Sequence, residues 1–320
     1  MNILITGASG LVGSQIVRTL NINVKHTPIA ALRNLSHDLP ENTQSLLIED
    51  LSSDNDWSGK LDNIDVVIHT AARVHVMNET TKDPLSEFRR VNVDGTLNLA
   101  HQASISGVKR FIFLSSIKVN GEFTKEGNPF SESDIPNPVD PYGISKFETE
   151  LGLYNIAEKS EMEVVCIRPT LVYGPGVKAN FLNMMCWLQK GIPLPFGAFH
   201  NKRSFVGLDN LVDLILTCID NPAAANETFL VSDNEDMSTT ELLKRVGSGL
   251  KRTPRLLPIN QKVIEFGLTL LGKKDFAQRL CGSLQVDITK AKNILNWEPP
   301  FTVDKELQRT TEYFIRLGIL

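Results

Sequence analysis

The chain reads as a doubly wound α/β protein built on a parallel sheet, and two observations predict this. Short β-branched runs alternate with helix-length patterns over the first 170 residues, and such alternation argues for βαβ units with helices on both faces. The first run also ends in a glycine-rich turn, Thr6-Gly7-Ala8-Ser9-Gly10-Leu11-Val12-Gly13, that opens a helix.

The elements follow in order. Ile3–Ile5 is the first strand, and a helix runs from about Gly13 to Leu20. Ile29–Leu32, Leu46–Ile48 and Val66–His69 are the next strands. Val93, Leu97 and Ala100 give Asn92–Ser106 a helical period, and Phe111–Leu114 returns to strand. Tyr142–Lys159 is helical and Val164–Ile167 is a sixth strand. Right-handed crossovers between parallel strands then place helices on both sides of the sheet. After Pro169 the rhythm changes: Gly174-Pro175-Gly176 breaks the chain, and Pro193, Pro195 and Gly197 punctuate a loop-rich stretch. Residues 1–170 are therefore assigned to the parallel-sheet domain, with segments around 205–232 returning to it. Residues 171–320 form mainly a smaller C-terminal α/β lobe, with short helical patterns at Thr239–Leu250 and Asp287–Leu295.

Composition excludes several classes. The net charge is −4, from 37 acidic and 33 basic residues. A nucleic-acid binder shows a basic face, and no Lys/Arg cluster supplies one. Cys166, Cys186, Cys218 and Cys281 form no CxxC or metal-ligand pattern, so no metal is expected. Cys166 and Cys218 lie in apolar runs and read as small buried thiols. No signal peptide is evident, and no apolar stretch reaches the ~18 residues needed to cross a bilayer. A cytoplasmic location is expected.

The glycine turn has a specific use. Gly7 permits the tight turn, Gly10 lets the backbone approach a pyrophosphate, and Gly13 permits close helix–strand contact. The helix start at Ser9, Leu11 and Val12 then offers N–H groups and partial positive charge to phosphate. This predicts a Rossmann-type dinucleotide site for NAD or NADP. An acid after the second strand would bind the ribose hydroxyls of NAD; the chain instead reads Ala30-Ala31-Leu32-Arg33-Asn34. The missing acid and Arg33 favour NADP. Asp50 and Leu51, after the third strand, are placed to meet the adenine edge.

Tyr142-Gly143-Ile144-Ser145-Lys146 sets a phenol and an ammonium four residues apart, on one helix face. A free tyrosine has a pKa near ~10 and is a poor base at neutral pH, but an adjacent cation favours the phenolate. Such a tyrosine can exchange a proton with a substrate hydroxyl while hydride moves to or from a nicotinamide. Ser116, at the end of the strand Phe111–Leu114, would project into the crevice where such sheets bind ligands and could hold the substrate oxygen. His200 is a lone histidine in a polar loop and reads as solvated.

With these residues in place, the chain resembles the extended short-chain dehydrogenase/reductase superfamily, in its NAD-dependent epimerase/dehydratase branch. The resemblance runs through Thr6–Gly13, His69-Thr70-Ala71-Ala72-Arg73, Ser115-Ser116, Tyr142–Lys146 and Arg168–Gly174. It continues in Arg203-Ser204-Phe205-Val206 and Asp287–Ala291. It implies Ser116, Tyr142 and Lys146 as the catalytic trio. It also implies Ala71, Ala72 and Arg73 along the cofactor cleft, Asn92 supporting the site, and Pro169 to Val172 beside the nicotinamide amide. Asn180 would contact the diphosphate-sugar. Arg203 matches a family motif and Arg279 is chosen for its place before Asp287; both would grip the diphosphate. The implied substrate is a nucleotide-diphosphate sugar reacting at C4, and the implied assembly is a homodimer.

Departures from the family narrow the reaction. The 4,6-dehydratases place Asp-Glu after the catalytic hydroxyl and the GDP-fucose synthases place a cysteine there; this chain has Ile117-Lys118. Two enzymatic readings stay open. One is a C4 epimerase acting on a UDP-N-acetylhexosamine-type sugar, similar to the 4-epimerases of UDP-N-acetylglucosamine and UDP-glucose. The other is an NADPH-dependent reductase of a UDP-4-keto-6-deoxy-N-acetylhexosamine. A reading of another class, a non-catalytic NADP-binding sensor or scaffold, is disfavoured by retention of both Tyr142 and Lys146.

Overall fold

The computed structural model describes residues 1–22, 25–34, 39–74, 83–125, 127–270, 272 and 274–320, without the side chains of 274–276 and 279. Seven strands form one sheet: β1 (Asn2–Thr6), β2 (Thr27–Leu32), β3 (Gln44–Leu47), β4 (Val66–His69), β5 (Arg110–Leu114), β6 (Glu163–Pro169) and β9 (Glu227–Val231). They lie in the order β3-β2-β1-β4-β5-β6-β9, and every pairing is parallel. The strand order reverses direction between β1 and β4, which opens a crevice beyond their C-terminal ends. β7 (Leu171–Tyr173) and β8 (Phe205–Gly207) pair separately, also in parallel.

Strand alternation sorts the core onto two faces. Ile3 and Ile5 of β1 pack with Ile16, Val17 and Leu20 of α1 (Leu11–Ile22). Leu211, Leu214 and Ile215 of α6 (Leu208–Asp220) join them. Leu4 points the other way, among Leu99, Ala103, Phe111 and Leu153. That second layer comes from two long helical runs. Pro84–Phe88 (α2) continues through a π-helical segment, Arg89–Asp94, into Gly95–Ile105 (α3). Beside it lies α4 (Pro141–Ala157), capped by Asp140 and opened by Pro141.

A third buried cluster holds Tyr173, Phe181, Met185, Leu243, Val246, Leu307 and Phe314. These come largely from α5 (Ala179–Gln189), α7 (Thr239–Gly249) and α11 (Val303–Arg316). Cys166 and Cys218 are buried thiols, in line with the sequence reading, and His200 is exposed. Among the described residues no helix is long and apolar enough to cross a membrane, and no cluster of metal-ligating side chains occurs.

The expected strands Ile3–Ile5, Ile29–Leu32 and Val66–His69 lie within β1, β2 and β4, while the third strand begins earlier, at Gln44. The expected helix Asn92–Ser106 begins in the π-helical segment, which nothing in its apolar spacing announces. Leu4 is fully buried at the centre of the sheet. Leu4→Ala is expected to cost about 2–5 kcal/mol, read as a lower urea midpoint with an unchanged m-value.

Candidate active site

The register of the central strands assembles the site. Thr6 pairs with His69, His69 with Phe113, and Leu114 with Ile167. The segments that follow, Gly7–Gly13, Thr70–Arg73, Ser115–Ser116 and Pro169–Val172, therefore emerge side by side at the crevice.

The glycine turn is closed inward and open outward. Gly7 adopts φ +70° and bonds through its carbonyl to the Gly10 N–H at 2.8 Å. A Cβ on Gly7 would lie 2.6 Å from Ala71 N, and one on Gly13 would lie 2.3 Å from the Gly7 carbonyl oxygen. A Cβ on Gly10 would meet only that same oxygen, at 3.1 Å. Ser9 and Gly10 are exposed, while Leu11 and Val12 are part-buried at the first turn of α1. This shape fits a dinucleotide: exposed backbone at Ser9 and Gly10 leads into the first turn of α1, where a helix start can receive a pyrophosphate. Ala71, Ala72 and Arg73 line the adjoining edge, and Leu51 is buried against Gly95.

Arg33 does not stand alone. Its guanidinium bonds the Asp50 carboxylate at 2.6 Å, and both side chains are exposed. A carboxylate at that distance offsets the charge that an extra phosphate would require.

Behind the turn, the His69 ring lies 2.8 Å from Thr6 Oγ1 and 2.9 Å from Thr96 Oγ1. Burial, with the Lys146 ammonium nearby, draws its pKa down to about 3. His69 is thus a neutral strut between β1, β4 and α3. Asn92, inside the π-helical segment, accepts the Arg73 N–H at 2.7 Å and donates to the Arg73 carbonyl at 3.1 Å and to Ser145 Oγ at 3.1 Å. The wider turn aims Asn92 inward and ties the loop after β4 to α4.

The face that α4 buries carries Ser145, Lys146, Thr149 and Glu150 rather than an apolar stripe. Burying such groups is costly unless each is bonded. Lys146 Nζ donates to the Leu114 carbonyl at 2.8 Å, lies 4.4 Å from the Phe113 ring centre and sits 5.8 Å from the Tyr142 ring centre. Burial draws its pKa down to about 7 against the opposing pull of Glu150. The Ser116 hydroxyl stands near the Tyr142 phenol and favours its ionised form. Burial and then the Asp140 carboxylate hold that phenol above the ordinary range, while the Ser116 hydroxyl pulls the other way. The structure thus brings Ser116, Tyr142 and Lys146 together at one point.

Glu150 is the side chain that motif spacing did not single out. It takes two bonds from Arg168, at 3.0 and 2.5 Å, and Arg168 also donates to Asn120 Oδ1 at 2.9 Å. Its signal was its place one helical turn after Lys146.

Of the residues expected to meet substrate, Asn180 is exposed on the first turn of α5, directly after Ala179, which holds a positive φ of 54°. Arg203 exchanges backbone bonds with Met237 at 3.0 Å and donates to the Gly282 carbonyl at 3.1 Å. Arg279 lies on the helix Lys274–Cys281, and its side chain is outside the described residues.

The model of the NAD dependent epimerase/dehydratase family matches residues 3–232. Over 318 residues the chain is 47% identical to a UDP-glucose 4-epimerase of Vibrio cholerae, covering 98% of this chain and 96% of the relative. The chain belongs to the NAD-dependent epimerase/dehydratase family. A further relative, at 30% identity over 98% of the chain and 95% of its own length, is the N-acetyl-alpha-D-glucosaminyl-diphospho-ditrans,octacis-undecaprenol 4-epimerase of Escherichia coli O157:H7. Among solved structures, the UDP-glucose 4-epimerase of Thermotoga maritima, with UDP-glucose, superposes with a TM-score of 0.79 at 25% identity. That match covers 99% of this chain and all of the other. The chain is an enzyme of this family, and the preference for NADP drawn from Arg33 finds no support in a family described by its use of NAD.

Two outcomes test the site's construction. Gly13→Ala should weaken NAD binding about tenfold or more in a fluorescence titration, because its Cβ meets backbone that cannot yield. Arg168→Met should cost about 3–5 kcal/mol in urea melts by stranding the Glu150 charge, and Arg168→Met with Glu150→Leu should recover most of it.

Proposed function

We propose that the enzyme inverts C4 of a UDP-hexose, N-acetylated hexosamines included, with NAD as a retained cofactor. The carrying observation is the meeting of Ser116, Tyr142 and Lys146 beside the outward-open glycine turn. NAD supplies a hydride acceptor that also returns the hydride. Gly7–Gly13 would hold its pyrophosphate, Asp50 and Leu51 its adenosine end, and Pro169 and Val172 its amide. Within this reading Tyr142 takes the proton of the C4 hydroxyl as hydride leaves and gives it back on return. Ser116 orients the same oxygen, and Lys146 supplies the cation that favours the phenolate.

Inversion requires the oxidised sugar to turn over while its diphosphate stays anchored. Asn180 and Arg203 in the lobe, on elements separate from the trio, suit that anchoring role. Support for the substrate class comes from the relatives named as 4-epimerases of UDP-glucose and of a lipid-linked N-acetylglucosamine. The reductase reading rested in part on Arg33, and the Arg33–Asp50 pair weakens it.

Incubation with UDP-glucose and with UDP-N-acetylglucosamine should yield the galacto isomer without net change in absorbance at 340 nm. Stoichiometric loss of added NADPH with a 4-keto sugar, and no isomer from either hexose, would favour the reductase instead. Tyr142→Phe should lower kcat about 10²–10⁴-fold while NAD binding persists.

A further inference from the structure

Lys118 stands two residues after the Ser116 hydroxyl, on the 3-10 turn Ile117–Val119. Its backbone N–H donates to Ser116 Oγ at 3.2 Å. Its ammonium rests against Oδ2 of Asp140 and lies 3.5 Å from Glu122 Oε1. The other oxygen of Asp140 accepts the Gly143 N–H at 2.7 Å and so caps α4. One lysine therefore links the Ser116 hydroxyl to the carboxylate that begins the helix of Tyr142. The seating is tight: a Cβ on Gly143 would lie 2.9 Å from the Lys118 carbonyl oxygen and 3.2 Å from Asp140 Oδ1.

The groups around Tyr142 can be named from each element packed there. Its own helix offers Lys146, and the cap offers Asp140. The turn after β5 offers Ser116 and Lys118, with Glu122 behind the lysine. From α2 the Phe88 ring approaches edge-on at 6.1 Å, with the Arg73 guanidinium 5.6 Å from that ring. Asp140 is the carboxylate that works against a phenolate here, and Lys118 is the cation in contact with it.

We propose that Lys118 is a positioning residue that holds and screens the capping carboxylate of Asp140, so that its charge opposes formation of the Tyr142 phenolate less than a bare carboxylate would. Lys118 acts through Asp140, whereas Lys146 acts on the phenol directly. The proposal rests on Tyr142 being the proton-transferring group. No bond is made or broken at Lys118.

The direction follows from electrostatics. Without Lys118, the bare Asp140 charge disfavours the phenolate, so a higher pH is needed to form it. In NAD-loaded Lys118→Met enzyme the acidic limb of the kcat/KM profile should move up by about one pH unit. Tyrosinate absorbance at 295 nm, taken as the difference from the Tyr142→Phe variant, should shift by the same amount without any substrate present. Lys118→Arg should keep both values near wild type. Lys118→Met combined with Asp140→Asn should bring both back, since asparagine still caps a helix but carries no charge; a merely structural role would leave the double variant no better than the single one. Should Lys118→Met not fold, Lys118→Gln serves in its place. An unmoved limb and unmoved absorbance in the single variant would overturn the proposal, as would failure of the double variant to restore them. Full turnover by Tyr142→Phe would instead remove the underlying base assignment, and the absorbance titration would still report whether Lys118 tunes that phenol.

Discussion

A lysine ammonium buried beneath a tyrosine ring is the interaction on which the rest of this structure depends. Charge taken out of water must be compensated locally or it neutralises itself. Lys146 is met by the Leu114 carbonyl, the Phe113 face and the field of Glu150 one turn along α4. Glu150 is in turn buried and matched by Arg168, which Asn120 also holds. The support of one buried cation thus runs through three chain segments, and it explains why α4 buries a polar face.

That arrangement constrains the neighbouring loops. On the proposed reading the trio meets at the edge where β1, β4, β5 and β6 end, so the register of those strands sets the geometry of the site. His69 and Asn92 serve this purpose without touching the phenol. The first is a neutral bridge between threonines of β1 and α3, and the second staples the Arg73 backbone to α4. Such polar struts rigidify because every member is satisfied.

Much of this was legible in the sequence, and the reasons differ by residue. The central strands are short β-branched runs buried on both faces, a pattern that composition alone carries. The glycine turn is legible because each glycine answers a steric demand that the structure displays at Ala71 and Gly7. Tyr142 and Lys146 stand out because helical spacing puts them on one face. The π-helical segment around Asn92 was not legible, since one extra residue in a turn leaves apolar spacing almost unchanged. The meaning of Arg33 depended on a partner 17 residues away on another strand end, and no local pattern reveals an exposed pair of that kind. Glu150 carries no local signal beyond its spacing from Lys146, because the arginine that makes its burial tolerable lies on β6.

The last strand of the sheet carries a topological consequence. β9 pairs with β6 only after the chain has left the sheet, built α5 and β8, and laid α6 across the α1 side of the sheet. A fragment ending at Pro169 would leave the ladder of β6 unpaired along one side, an invitation to pair with another chain. The two regions are laced by repeated passages of the backbone rather than joined by a single tether. Any opening and closing around a nucleotide must then be shared among several crossings, which favours small sliding adjustments over a wide swing about one joint.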